Sequence, residues 1–200
     1  MSERVVTFVT GNANKLREAQ QILASANVPW KLESRSVDGA CALTVPEVQG
    51  TTQEVAIAKC SAAARAIGGP CLTEDTALCY SALGGLPGPY IKDFLGNLGV
   101  QGLHKLVAGF EDKRATALCT FAFCAGPDAQ PVLFEGTCPG TIVEPRGETA
   151  FGWDPVIEIE GTGKTCVAAD SFAEMTKDEK NAVSHRARAL AKVVEFLASN

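Results

Sequence analysis

The chain has 200 residues, is 46% hydrophobic and 20% charged, and carries a formal net charge of −5, with a pI near 5.1. That length supports one sizeable core, and the acidic balance excludes a general nucleic-acid binder, which needs a basic face to neutralise phosphates. No apolar run approaches the roughly 20 residues that span a bilayer, and the N-terminus has no secretory h-region, so a cytoplasmic protein with no membrane and no nucleic-acid partner is expected.

In chain order, the β-branched and aromatic run Val5 to Val9 reads as a buried strand, and Leu16, Ala19, Ile22, Leu23 and Ala26 fall at helical spacing on one face. The turn between them, Thr10-Gly-Asn-Ala-Asn-Lys15, therefore opens a helix. Amides at a helix N-terminus and its partial positive charge attract anions, and Thr10, Asn12 and Lys15 add side-chain donors. A triphosphate suits such a place. The plainer alternative is that Thr10 or Asn12 only caps the helix while Lys15 is a solvated first-turn lysine.

Further along, Gln53 to Ile67 reads as an alanine-rich helix, and Pro70 to Thr73 as a short buried strand followed by Glu74-Asp75-Thr76. Carboxylates at the end of a strand, where α/β sites are commonly built, can hold a divalent cation against phosphate oxygens or orient a water for attack. Glu47, in Val45-Pro-Glu-Val-Gln-Gly50, and Glu54, at the start of the next helix, can join them. Equally, Glu54 can complement the helix dipole and Asp75 can cap a turn. Gly84 to Tyr90 reads as a rigid turn leading to Lys92, and His104 as structural.

Ala115 to Cys124 places Ala117, Cys119, Phe121 and Phe123 on one face at period two, and Val132 to Phe134 and Thr141 to Val143 read as further strands separated by turn residues. Glu160 to Ser171 is a glycine-rich loop. Its Gly161-Thr-Gly-Lys-Thr165 looks like the end of a P-loop, but that pattern needs glycine where Glu158 stands. Thr176-Lys-Asp-Glu179 is a capping box for a last helix striped by Val183, Ala187, Leu190, Val194 and Leu197, with Lys180, His185 and Arg186 in its first turns. Alternating strands and helices make the class α/β, in one unit rather than two domains. The eight cysteines include Cys71, Cys119 and Cys124 inside apolar runs, and no C-x-x-C occurs, so reduced core thiols are expected. His104 and His185 are the only histidines, which argues against zinc and for an oxygen-bound metal.

The blocks together resemble the inosine triphosphate pyrophosphatase family over nearly the whole chain. Its Thr-x-Asn-x-x-Lys motif is matched by Thr10, Asn12 and Lys15, its Pro-Glu-x-Gln-Gly by Pro46 to Gly50, its Glu-Asp-Thr by Glu74 to Thr76, and its glycine-proline loop by Leu83 to Lys92. Ala117 to Phe121, Phe151-Gly-Trp-Asp-Pro155 and Glu179 to Arg186 follow in the family's order. The resemblance implies an α/β fold of the Maf/HAM1 kind, with a mixed central sheet flanked by helices in two lobes and a nucleotide cleft between them. It implies hydrolysis of ITP, dITP and XTP to the monophosphate and pyrophosphate with magnesium, and a homodimer joined through the strand-rich middle.

Carried onto this chain, the resemblance gives the phosphates to Thr10, Gly11, Asn12, Ala13, Asn14, Lys15, Lys59 and Lys180, with Thr76 and Lys92 near the nucleotide. Glu47 and Asp75 hold the metal, and Asp75 is the proton acceptor, with Glu74 and Glu54 as helpers. Phe151, Gly152, Trp153, Asp154, His185 and Arg186 read the base, arginine donating to a 6-keto oxygen. Asn14 stands where some relatives have a second lysine, which leaves the shared motif whole. The rival readings are a Maf-type pyrophosphatase, which lacks the Phe-Gly-Trp-Asp and Ser-His-Arg blocks, and a non-catalytic nucleotide-binding module on the same scaffold.

Overall fold

The computed structural model describes residues 4–25, 30–35, 48–146, 152–165 and 183–199. Strand β1 (Arg4–Val9) leads into helix α1 (Ala13–Ser25) and then strand β2 (Trp30–Arg35), which pairs parallel with β1 from Arg4 against Trp30 to Val9 against Arg35. Helix α2 (Thr52–Ile67) returns the chain to strand β3 (Cys71–Tyr80), also parallel to β1. The short β4 (Pro87–Gly88) folds back antiparallel on β3, followed by helix α3 (Ile91–Lys105), the long strands β5 (Arg114–Cys124) and β6 (Val132–Ile142), strand β7 (Ile157–Ile159) and helix α4 (His185–Ser199). The seven strands form one mixed sheet in the order β2-β1-β3-β5-β6-β7, with β4 on β3. The α/β class expected from alternation is therefore observed.

The chain divides into two compact units. One comprises the chain up to Asp75, Thr120–Glu135 and the chain from Arg188 on; the other comprises Thr76–Cys119 and Gly136–Ala187. In the first, α2 lays its small face, Ala56, Cys60, Ala63 and Ala64, against Val9, Cys71, Ala122 and Cys124. Small side chains at i, i+4 and i+7 let a helix sit close to its strands. Phe196 of α4 stands 5.3 Å from Phe123 and 5.2 Å from Phe134, ring centre to ring centre. The second unit buries Leu78, Tyr80, Leu103, Val107, Ala117, Ile142, Trp153, Val156 and Ile157 together. There the Tyr80 hydroxyl donates to the Leu103 carbonyl at 3.2 Å, so its polar end is satisfied inside an apolar core.

The structure departs from the sequence reading in four places. The strand expected over Pro70 to Thr73 runs on for ten residues to Tyr80, so Glu74, Asp75 and Thr76 lie within a strand rather than after one. Burial of Ala77, Leu78 and Tyr80 carries the strand past its two carboxylates, which lysines neutralise. The two strands expected at Val132 to Phe134 and Thr141 to Val143 are one continuous β6. Gly140 there is no turn residue: a Cβ on it would lie 2.3 Å from the Glu158 carbonyl oxygen, so glycine permits the close approach of β7.

The last helix, as far as it is described, begins at His185, and Ser184 precedes it with its Oγ accepting from the Ala187 N–H at 3.1 Å. Its buried stripe is Ala189, Leu190, Val193 and Leu197, which shares Leu190 and Leu197 with the expected line and buries Ala189 and Val193 in place of Ala187 and Val194. The Thr176 to Glu179 capping box lies outside the described residues. The start of the expected 160–171 loop is a tight turn in which Thr162 Oγ1 donates to the Ile159 carbonyl at 2.8 Å and accepts from the Lys164 N–H at 3.1 Å, returning the chain to a bridge between Thr165 and Glu158. Gly163, Lys164 and Thr165, which would open the helix of a P-loop, are not helical. All the described cysteines are free thiols. Cys60 and Cys71 are in contact, and their mutual hydrogen bond together with burial pushes the Cys60 thiol far above the ordinary range, leaving it inert core filler.

Candidate active site

The strand β1 ends buried at Val9, and the next residue turns the chain: the Thr10 N–H donates to the Arg35 carbonyl at the end of β2 (3.1 Å). Thr10 Oγ1 accepts from the Asn12 N–H at 3.1 Å, and Asn12 Oδ1 accepts from the Lys15 N–H at 3.2 Å. Asn12 is thus the N-cap of α1, and the plainer reading of these two residues is what the turn displays. Capping and anion binding are compatible here. Both bonds draw on side-chain acceptor oxygens, whereas phosphate would be met by the hydroxyl proton of threonine and the amide protons of asparagine. Gly11, Asn12 and Ala13 are exposed, so the turn faces solvent. The Asn14 side chain lies outside the described residues.

From this turn Lys15 reaches β3, where its Nζ lies 2.6 Å from Glu74 Oε2; the Glu74 side chain is 0% exposed and that of Lys15 19%. Lys59, on α2, places its Nζ 3.6 Å from Asp75 Oδ1 and donates to the Glu74 carbonyl oxygen at 3.2 Å. Consecutive residues of a strand point to opposite faces, which is how two adjacent acids take lysines from two different helices. Asp75 Oδ2 is buried and has no hydrogen-bond partner among the described residues. Burial raises the proton affinity of Asp75 above the usual carboxyl range; Lys59 and Lys15 oppose the rise, and the charge of Glu74 adds to it. A half-engaged carboxylate with raised basicity is suited to accept a proton.

Glu54 has a different use. Its Oε2 accepts from the Thr51 N–H (2.8 Å) and hydroxyl (2.9 Å), while its own N–H donates to Thr51 Oγ1, which completes a capping box for α2. Those bonds hold its carboxyl below the usual range. It serves the helix start.

A second group lies in the other unit. Ser184 caps α4, so His185 and Arg186 occupy its first turn, and they are only 3% and 6% exposed. The His185 ring sits 5.7 Å from that of Trp153 at a 31° tilt, and Arg186 Nη2 donates to Thr76 Oγ1 at 3.4 Å. Trp153 is also a member of this unit's apolar core, and Asp154 beside it is buried. A nearly buried arginine in the first turn of a helix opposes the helix dipole and loses hydration. Gly152, exposed at φ 59°, supplies the left-handed turn that brings the chain into Trp153. Lys92 is exposed in the first turn of α3. Glu47, Phe151 and Lys180 lie outside the described residues. The sequence reading passed over Ser184 as a cap, although a serine directly before an apolar stripe is the ordinary signal for one.

The sequence model of the Ham1 family matches residues 6–196, a span that takes in every residue of both groups. The chain belongs to the Ham1 family. Among relatives, this Ham1 family chain is 56% identical over 198 residues to the inosine triphosphate pyrophosphatase of Mycosarcoma maydis, covering 98% of this chain and 96% of that protein. Among solved structures, it is similar to a HAM1 protein from Coxiella burnetii at a TM-score of 0.79 and 28% identity, over 98% of this chain and 100% of that one. It is also similar to the nucleoside-triphosphatase, dITP/XTP pyrophosphatase, of Mycobacterium abscessus at a TM-score of 0.68 and 28% identity, over 94% and 98%.

Proposed function

We propose that this chain hydrolyses non-canonical purine nucleoside triphosphates, ITP, dITP and XTP, to the monophosphate and pyrophosphate, removing them from the nucleotide pool. The observation that carries the reading is the acid and lysine cluster of β3: two ammonium groups from separate helices, one wholly buried carboxylate, and beside it Asp75, whose buried Oδ2 has no hydrogen-bond partner among the described residues. The relatives named inosine triphosphate pyrophosphatase and dITP/XTP pyrophosphatase support it.

In this reading the Thr10 to Lys15 turn and Lys59 receive the phosphates, because amides at the start of α1 and two ammonium groups present positive charge to oxygens that share several negative ones. Lys180 joins them by resemblance. Asp75 takes the proton of the attacking water, and the burial that raises its basicity suits it to that. The residues fit magnesium, since it takes hard oxygen donors and Asp75 Oδ2 is such a donor with no partner among the described residues; Glu47 and Asp75 would hold it. When bound, the ion neutralises charge on the phosphate oxygens.

Trp153 and His185 offer ring faces to the base, with Phe151 beside them by resemblance, while Asp154 and Arg186 offer hydrogen bonds to its edge. An arginine that donates to a 6-keto oxygen is left facing an amine when adenine enters, a penalty of about 1–3 kcal/mol. Gly152, Thr76 and Lys92 complete the nucleotide contacts, and the active species is a homodimer. The test is product analysis: purified protein with magnesium and ITP, XTP, ATP, GTP or dTTP, separating monophosphate plus pyrophosphate from diphosphate plus phosphate. Pyrophosphate from ITP and XTP is expected. Orthophosphate release, or turnover chiefly of a pyrimidine nucleotide, would sink the proposal.

A further inference from the structure

We infer that Glu74 is a positioning residue, the fixed counter-ion that holds the Lys15 ammonium at the phosphate turn, and that proton transfer therefore falls to Asp75 alone. The inference rests on the function proposed above and divides the labour of two adjacent acids that the sequence cannot tell apart.

Its basis is an asymmetry. The Glu74 side chain is wholly buried and its Oε2 lies 2.6 Å from Lys15 Nζ, a close ion pair. Asp75 has a looser pairing, 3.6 Å to Lys59, and a second oxygen with no partner among the described residues. A carboxylate sealed from solvent and bound tightly to an ammonium is poorly placed to receive a proton from water. It is well placed to fix a flexible chain.

Lysine carries three donors on a long, mobile stem. Paired by charge with Glu74, the ammonium keeps donors to offer phosphate oxygens, and the partial exposure of Lys15 shows that its side chain is still reachable. The rotamer freedom that Lys15 would lose on binding a triphosphate is thus lost before the ligand arrives, which is preorganisation. The origin of Lys15 strengthens the case, because its own N–H is the one capped by Asn12. Backbone and ammonium of the same residue are pinned at opposite ends, one by the turn and one by β3.

The test is a double-mutant cycle on ITP hydrolysis using wild type, Glu74→Gln, Lys15→Met and the double variant. Glu74→Gln is expected to raise KM about tenfold with little change in kcat, and to have no further effect once Lys15 is methionine. A fall in kcat of about 100-fold or more at unchanged KM would instead make Glu74 a base or metal ligand, and additive effects would make it independent of Lys15. If Glu74→Gln alone does not fold, because it strands a buried ammonium, Lys15→Met and the double variant still decide: equal kcat and KM are expected, and a further collapse of kcat overturns the inference. A wild-type chain without turnover removes the function and this assignment together. An active wild type with a kcat-deficient Glu74→Gln removes this assignment alone.

Discussion

Replacing Asp75 by asparagine keeps the side chain's shape but removes its charge and its capacity to accept a proton. A positioned general base contributes about 10²–10⁴-fold, or about 3–5 kcal/mol of barrier, so kcat for ITP should fall by that factor. Folding should respond in the opposite direction. The pKa of Asp75 is raised in the fold, chiefly by burial. A carboxyl whose folded pKa lies above its unfolded value weighs against the fold once it ionises, and the cost is fully present above the folded pKa. Asparagine removes that cost, while Lys59 keeps its bond to the Glu74 carbonyl oxygen at 3.2 Å. The variant should therefore unfold no earlier than wild type at pH 8, with any advantage vanishing below the ordinary carboxyl range, where both residues are neutral. Pyrophosphate release measures the first quantity and scanning calorimetry at two pH values the second. Near-wild-type turnover would remove Asp75 from proton transfer. Lost turnover accompanied by a lower unfolding temperature at pH 8 would mean that the carboxylate supports the fold, and the reasoning from its burial would be wrong.

Three other outcomes are expected. Arg186→Ala should lower the preference for ITP over ATP by about tenfold, the worth of roughly one base-edge hydrogen bond, and an unchanged ratio of kcat/KM values would take Arg186 out of base reading. Gly140→Ala should destabilise the chain by about 1–3 kcal/mol, a few degrees in Tm, because the added carbon meets the Glu158 carbonyl oxygen at 2.3 Å; a neutral effect would return Gly140 to the role of a turn residue. Asp112, exposed and bound by the side chain and N–H of Arg114, should titrate at about 2 by NMR. Its folded pKa lies below the unfolded one, so its small stabilisation is present above the ordinary value of 3.8 and lost as pH falls through about 2. Arg114→Gln should bring the titration back toward 3.8.

Local elements were legible in the residues themselves. The Val5 to Val9 strand, the turn at Thr10 to Lys15 and the alanine-rich helix after Gly50 appear where periodicity and capping chemistry put them, because those signals act between residues a few positions apart. The family motifs were legible for the same reason, as short runs of fixed spacing. Where a rule of local chemistry met a tertiary demand, the tertiary demand won. Pro139 and Gly140 read as a break, yet β6 passes through both because β7 packs closely against the glycine. Glu74 to Thr76 read as the end of a strand, yet β3 continues because the residues beyond are buried.

The roles of the charged residues lay furthest from the sequence. Glu54, Glu74 and Asp75 are equivalent carboxylates on paper, and their positions alone cannot separate a helix cap, the partner of Lys15 and the partner of Lys59. Sequence by itself determined that a polar turn between strand and helix, adjacent acids and an aromatic and basic block belong to one chain. Only the tertiary structure decided that Lys15 goes to Glu74, Lys59 to Asp75 and Arg186 to Thr76. Proton affinity and pairing depend on desolvation and on which distant segments share a site, and neither quantity is carried by the neighbours of a residue along the chain.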